Sequence, residues 1–118
     1  MPLVLFQPDI PQNAGAILRL GACLDTAVHI IHPCGFILDD RRLRRAGLDY
    51  AERAVLVEHA DWETYLAAPE RGRLVALSAR GGTPHTAFAF RPGDALLLGP
   101  ETRGLPEHAR AAGDAVVR

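Results

Sequence analysis

Six short apolar runs punctuate the chain, at Leu3–Phe6, Val28–Ile31, Ala54–Val57, Leu74–Ser78, Ala95–Leu98 and Ala115–Val117. They lack polar/apolar alternation, which is the pattern of strands buried on both faces and therefore of a parallel sheet. Between them, helix signals fall at Asn13–Leu24, Asp40–Leu48, Asp61–Ala68 and Pro106–Ala112. Alternating strand and helix predict an α/β fold with a mainly parallel sheet and flanking crossover helices. No linker, repeat or low-complexity tract interrupts the pattern. Residues 1–118 therefore read as a single domain, large enough for one core but not for two.

The first helical segment is unusual. Asn13 is a good N-cap, Gly15 keeps the first turn bare, and Arg19 is the only charge between Ile10 and Leu24. Ala14, Ala16, Ile17, Leu18, Leu20, Ala22 and Cys23 leave almost no polar face, so the helix is expected to be covered on two sides, by the sheet and by a neighbouring subunit. A lone arginine there is costly unless it faces an anion, a partner or a cavity.

The other informative stretch is Ala95 to Leu105, Ala-Leu-Leu-Leu-Gly-Pro-Glu-Thr-Arg-Gly-Leu. A buried strand stops at Gly99, where a backbone without a Cβ allows close approach of a ligand. Pro100 ends the strand, Glu101, Thr102 and Arg103 project from the turn, and Gly104 permits a second bend before a helix opens at Pro106. Ligands of open α/β sheets bind at such carboxyl ends of strands.

A net charge of −1 gives no global attraction to nucleic acid, so RNA binding would need a local patch. Asp39-Asp40-Arg41-Arg42-Leu43-Arg44-Arg45 supplies one: on a helix, Arg41, Arg44 and Arg45 share a face. Cys23 and Cys34 have no metal-type or redox-type spacing and read as free thiols. The five histidines are not spaced as a metal site: His29 and His32 point to opposite faces of a strand, and His59, His85 and His108 stand singly. Gly81-Gly82 lacks the Lys-Ser/Thr of a phosphate-binding loop. No run reaches membrane-spanning length and no signal-peptide pattern opens the chain, so a cytoplasmic location without membrane contact is expected.

The pairing of Asn13-x-Gly15-x-x-x-Arg19 with Gly99-x-Glu101-x-x-Gly104-Leu105 resembles the first two motifs of the SPOUT superfamily of RNA methyltransferases. Ile10-Pro11, Gly35-Phe36, the Asp40–Tyr50 segment and Gly99–Pro106, in that order, are similar to the single-domain members that methylate the 2′-hydroxyl of the wobble nucleotide of tRNA. The resemblance runs from about Leu3 to Arg118. It implies S-adenosyl-L-methionine as cofactor, the tRNA anticodon stem-loop as partner, a homodimer, and chemistry without a metal.

The same resemblance implies roles for individual residues. Leu77, Ser78, Gly99, Glu101 and Gly104 would hold the cofactor. Arg19, with Asn13 and Glu101, would form the catalytic group. Because a guanidinium does not readily give up its proton, Arg19 is better suited to holding the target phosphate and stabilising a forming alkoxide than to acting as a base. A structural bridge between Arg19 and Glu101 is the alternative. Arg41, Arg42, Arg44 and Arg45, extended by Arg80 and Arg103, would bind RNA. The superfamily's third motif, a Ser/Asn-containing loop and a helix that complete a trefoil knot, would lie beyond Arg118. The expectation is thus a truncated chain in which the knot is incomplete. A non-catalytic RNA-binding or dimerisation module is the competing reading.

Overall fold

The computed structural model describes residues 1–35, 56–68, 71–79, 82–100 and 102–118. Six strands, β1 (Leu3–Phe6), β2 (Val28–Ile31), β3 (Leu56–His59), β4 (Leu74–Leu77), β5 (Ala95–Leu98) and β6 (Ala115–Val117), form one sheet in the order β3-β2-β1-β5-β4-β6. Every pairing is parallel. The helices are α1 (Pro11–Cys23), α2 (Trp62–Leu66) and α3 (Glu107–Ala111). The chain fills the sheet outward from β1 to β3, then crosses back to build β4, β5 and β6 on the other side. The boundary between β1 and β5 is therefore a topological switch point, where neighbouring crossovers diverge and leave a crevice at the carboxyl ends.

The core is split by the sheet, as a parallel arrangement requires. Val4, Phe6, Ile31, Leu74, Ala76 and Leu97 face Trp62, Tyr65 and Ala109 on one side. Leu5, Val28 and Ile30 face Ala14 and Leu18 of α1 on the other. Each methylene so buried contributes about 0.8 kcal/mol, which is why the apolar runs, rather than local propensity, decide where the strands lie.

Three expectations need correction. Helix α1 starts at Pro11, not Asn13: Ile10 is the extended residue before it and makes no side-chain cap. Proline in the first turn has its φ preset and no N–H to satisfy, so a polar cap is dispensable. Asn13 lies inside the first turn and is exposed. Strand β3 runs to His59 rather than Val57, because Glu58 and His59, despite their polarity, pair with Ile30 and Ile31 at the sheet's edge. β4 ends at Leu77; the Ser78 amide beyond it donates to the Val117 carbonyl at 2.8 Å. The expected helix at Asp40–Leu48 lies outside the described residues. Helix α2 starts as expected from Asp61, whose carboxylate accepts from the Thr64 amide at 2.8 Å and is held below its usual range by the Thr64 hydroxyl and amide.

Polar anchors fix the ends of the strands. The Asp94 carboxylate, 1% exposed, accepts from Arg73 Nε at 2.9 Å and from the Arg91 amide at 2.8 Å. The Arg73 hydrogen bond is the main reason its pKa falls to about 2. Edge strand β6 is covered by the 82–85 segment: the Thr83 amide donates to the Val116 carbonyl and the His85 amide to that of Arg118.

His59 is not a solitary histidine. It stacks on His29 at 5.1 Å between ring centroids, with His29 Nδ1 and His59 Nε2 2.8 Å apart, and Tyr65 meets both rings edge-on. One proton between two ring nitrogens satisfies both; a second would set like charges against each other. Burial lowers the pKa of both groups, and His59 lowers that of His29 further. Because the folded values lie below the ordinary 6.5, this contribution is complete above pH 6.5 and declines as the pH falls through that value. Urea midpoints are expected to drop between pH 7 and pH 5, and His59→Asn is expected to flatten that dependence. An equally steep decline in the variant would place the acid sensitivity elsewhere.

Candidate active site

The turn after β5 is built by its glycines. The Pro100 carbonyl accepts from the Gly104 amide at 2.8 Å and from the Arg103 amide at 3.3 Å, and Gly104 has a φ of +70°, which side-chain-bearing residues rarely adopt. Gly99 matters differently from the expectation. A Cβ there would lie 2.4 Å from the Leu105 nitrogen and 2.6 Å from the Gly104 carbonyl carbon. The chain's own backbone, not only a ligand, therefore demands the missing side chain.

This fold-back encloses one wall of a cavity of about 610 Å³ at the carboxyl ends of β4 and β5. Leu77, Ser78 and Ala79 leave β4 along one side, and Leu98 and Gly99 leave β5 along the other. Arg103, Gly104 and Leu105 close it from the turn, and Arg118 enters from the end of β6. Of the expected cofactor residues, Leu77, Ser78, Gly99 and Gly104 thus meet in one cavity, with Arg103 of the expected RNA surface beside them. Glu101 lies outside the described residues, as do Arg41, Arg42, Arg44, Arg45 and Arg80.

Asn13 and Arg19 stand exposed on α1 and do not line this cavity. Their loop is nonetheless tied to it: the Thr102 hydroxyl donates to the Asp9 carboxylate, joining the segment before α1 to the turn after β5. The sequence places Thr102 on the turn but gives it no partner, and it marks neither Asp9 nor Arg118. Their roles depend on β1 neighbouring β5 and β4 neighbouring β6, which residue types alone do not state. Among the described residues, no group of three or more metal-binding side chains converges.

A chain with these two tied loops matches the model of the SpoU rRNA methylase family over residues 1–118. The chain belongs to that family. It is 48% identical, over 92% of its length and 70% of the relative's, to the tRNA (cytidine(34)-2′-O)-methyltransferase of Methylovorus glucosotrophus. To the Escherichia coli K12 protein of the same name it is 49% identical, over 88% of its length and 66% of the relative's. A solved structure concerned with the 2-OH methylation of C/U34 on tRNA superposes with a TM-score of 0.90 at 46% identity, covering 98% of this chain and 76% of the other. The SpoU-family chain thus spans about two thirds to three quarters of the relatives it matches.

The two glycines separate two constraints. Gly99→Ala forces the 99–105 turn apart and is expected to cost about 1–3 kcal/mol of stability. Gly104→Ala meets open space but must hold a left-handed backbone, at roughly 1–2 kcal/mol. Urea denaturation of both variants checks this. A Gly99→Ala protein as stable as the wild type would show that the turn does not close as described.

Proposed function

We propose that this chain forms the cofactor- and RNA-binding part of an S-adenosyl-L-methionine-dependent tRNA 2′-O-methyltransferase acting on the wobble nucleotide. The observation that carries the reading is the cavity between the ends of β4 and β5, tied through Thr102 and Asp9 to the segment that opens α1. Its walls fit the cofactor's chemistry. Leu77, Leu98 and Leu105 offer apolar surface for an adenine, and Arg118 offers a cation for a carboxylate. When bound there, the cofactor supplies an electrophilic methyl group on a sulfonium, so that no metal is needed to activate the leaving group.

The protein's part is positioning and charge stabilisation. Leu77, Ser78, Gly99, Glu101 and Gly104 hold the cofactor. Arg19 holds the target phosphate and stabilises the alkoxide as the ribose hydroxyl loses its proton, and Asn13 orients the start of the same helix. Arg41, Arg42, Arg44 and Arg45, with Arg80 and Arg103, bind the anticodon stem-loop through its phosphates.

The outer face of α1 supports a homodimer. Ala16, Leu20, Cys23 and Leu24 lie at helical spacing on its exposed side, with Leu20 47% and Leu24 63% exposed. A second copy packed on this stripe removes apolar surface from water and places Arg19, on the same exposed side, at the junction of two subunits. Such an enzyme works in the cytoplasm, where its tRNA is found.

Methyl transfer to an anticodon stem-loop by the whole enzyme tests the reading. A 2′-deoxy substitution at the wobble ribose is expected to abolish it, and transfer that survives would move the reaction to another atom. In single-turnover assays, Arg19→Ala is expected to lower the rate about 100-fold or more while cofactor affinity is kept. A fully active Ala variant would remove Arg19 from the chemistry. Replacing Arg41, Arg44 and Arg45 by Ala is expected to reduce the slope of log affinity against log salt by roughly 2 to 3. A wild-type slope would leave these arginines as a merely solvated face.

A further inference from the structure

A second cavity, of about 230 Å³, opens at the switch point between β1 and β5. Phe6 and Gln7 leave β1 on one side of it, Pro100 and Arg103 leave β5 on the other, and Pro106 and His108 close it from the start of α3. It shares Arg103 and Gly104 with the cofactor cavity, so a single turn of backbone separates the two. The sheet topology makes this crevice the favoured place for a ligand, yet the larger cavity beside it already accommodates the cofactor.

The walls identify the class of occupant. His108 is an exposed imidazole set edge-on to the Phe6 ring, with centroids 5.8 Å apart, and the two prolines add flat apolar surface. Among the described residues, Arg103 brings a guanidinium to the boundary of the two cavities, where it suits a phosphate or ribose. Gln7 contributes a carboxamide, both donor and acceptor. Its backbone φ is +44°, a left-handed conformation that a glutamine adopts at a cost and that clusters at binding sites. Flat stacking surfaces, a bifunctional polar group and a neighbouring cation are what proteins use to hold an unstacked base of single-stranded RNA.

We infer that this cavity receives the base of the nucleotide whose ribose is methylated, stacked against His108 and the proline rings, with Gln7 at its wall. The inference rests on the methyltransferase reading above. A ribose seated at the Arg103–Gly104 turn can present its 2′-hydroxyl toward one cavity while its base enters the other. His108 is then a specificity residue acting on the substrate, with no part in holding the cofactor.

The test uses the whole enzyme and two anticodon stem-loop RNAs, one carrying the fluorescent cytidine analogue pyrrolocytidine and one an abasic ribose at the methylated position. Binding of the first, with S-adenosylhomocysteine present, is expected to quench its fluorescence, and His108→Ala to relieve most of that quenching. Base removal and His108→Ala are each expected to raise KM about tenfold, and together to do no more than either alone, because both delete the same contact. Gln7→Ala is expected to raise KM without changing affinity for S-adenosylmethionine. Multiplicative effects of base removal and His108→Ala, or equal quenching in wild type and variant, with methyl transfer intact, would overturn this assignment and leave the enzyme reading standing. Failure of the wild type to methylate the unmodified stem-loop would overturn both.

Discussion

The backbone of Gly104 and Leu105 returns over the end of β5 so closely that an added Cβ on Gly99 would sit 2.4 Å from the Leu105 nitrogen. That approach fixes the position of Arg103, the entry to α3 and the wall common to both cavities. It also sets Thr102 where its hydroxyl reaches Asp9, coupling the turn to the segment that leads into α1. A side chain at position 99 would disturb all of these together. The glycine therefore serves the architecture of the site first, and any ligand second.

The sheet supplies the rigidity that this turn needs. β5 lies between β1 and β4, both parallel to it, and its neighbours on each side are buried. The Arg73–Asp94 pair anchors the opposite, amino-terminal end of β4 and β5. Strand ends held in this way allow short loops to carry chemistry without a stiff framework of their own. The β6 edge is covered separately, by the 82–85 segment, and the stacked histidines tie β3 to β2.

Much of this was legible in the sequence because burial on both faces leaves uninterrupted apolar runs, which mark the strands directly. The Gly99–Leu105 turn followed from where those runs end, and the grouping of Leu77, Ser78, Gly99 and Gly104 from the family resemblance laid over those strand ends. Other features were hidden for definite reasons. Glu58 and His59 looked like a strand terminus because polarity masks an edge strand. Asn13 looked like a cap because its side chain suits that role, whereas Pro11 starts the helix without one. The His29–His59 pair, the entry of Arg118 and the Asp9–Thr102 bond all cross between elements distant in sequence, so only strand order and register bring them together. That order also creates the β1–β5 crevice.

Amide chemical shifts of the isotopically labelled protein, recorded while S-adenosylhomocysteine is titrated in, test the central claim most directly. Saturable shifts are expected to concentrate at Leu77–Ala79, Leu98–Gly99 and Gly104–Leu105, with His29, His59 and Tyr65, which line none of that cavity, unmoved. Shifts confined to the histidine cluster, or no saturable response at the ends of β4 and β5, would contradict the placement of the cofactor and with it the function derived from that placement.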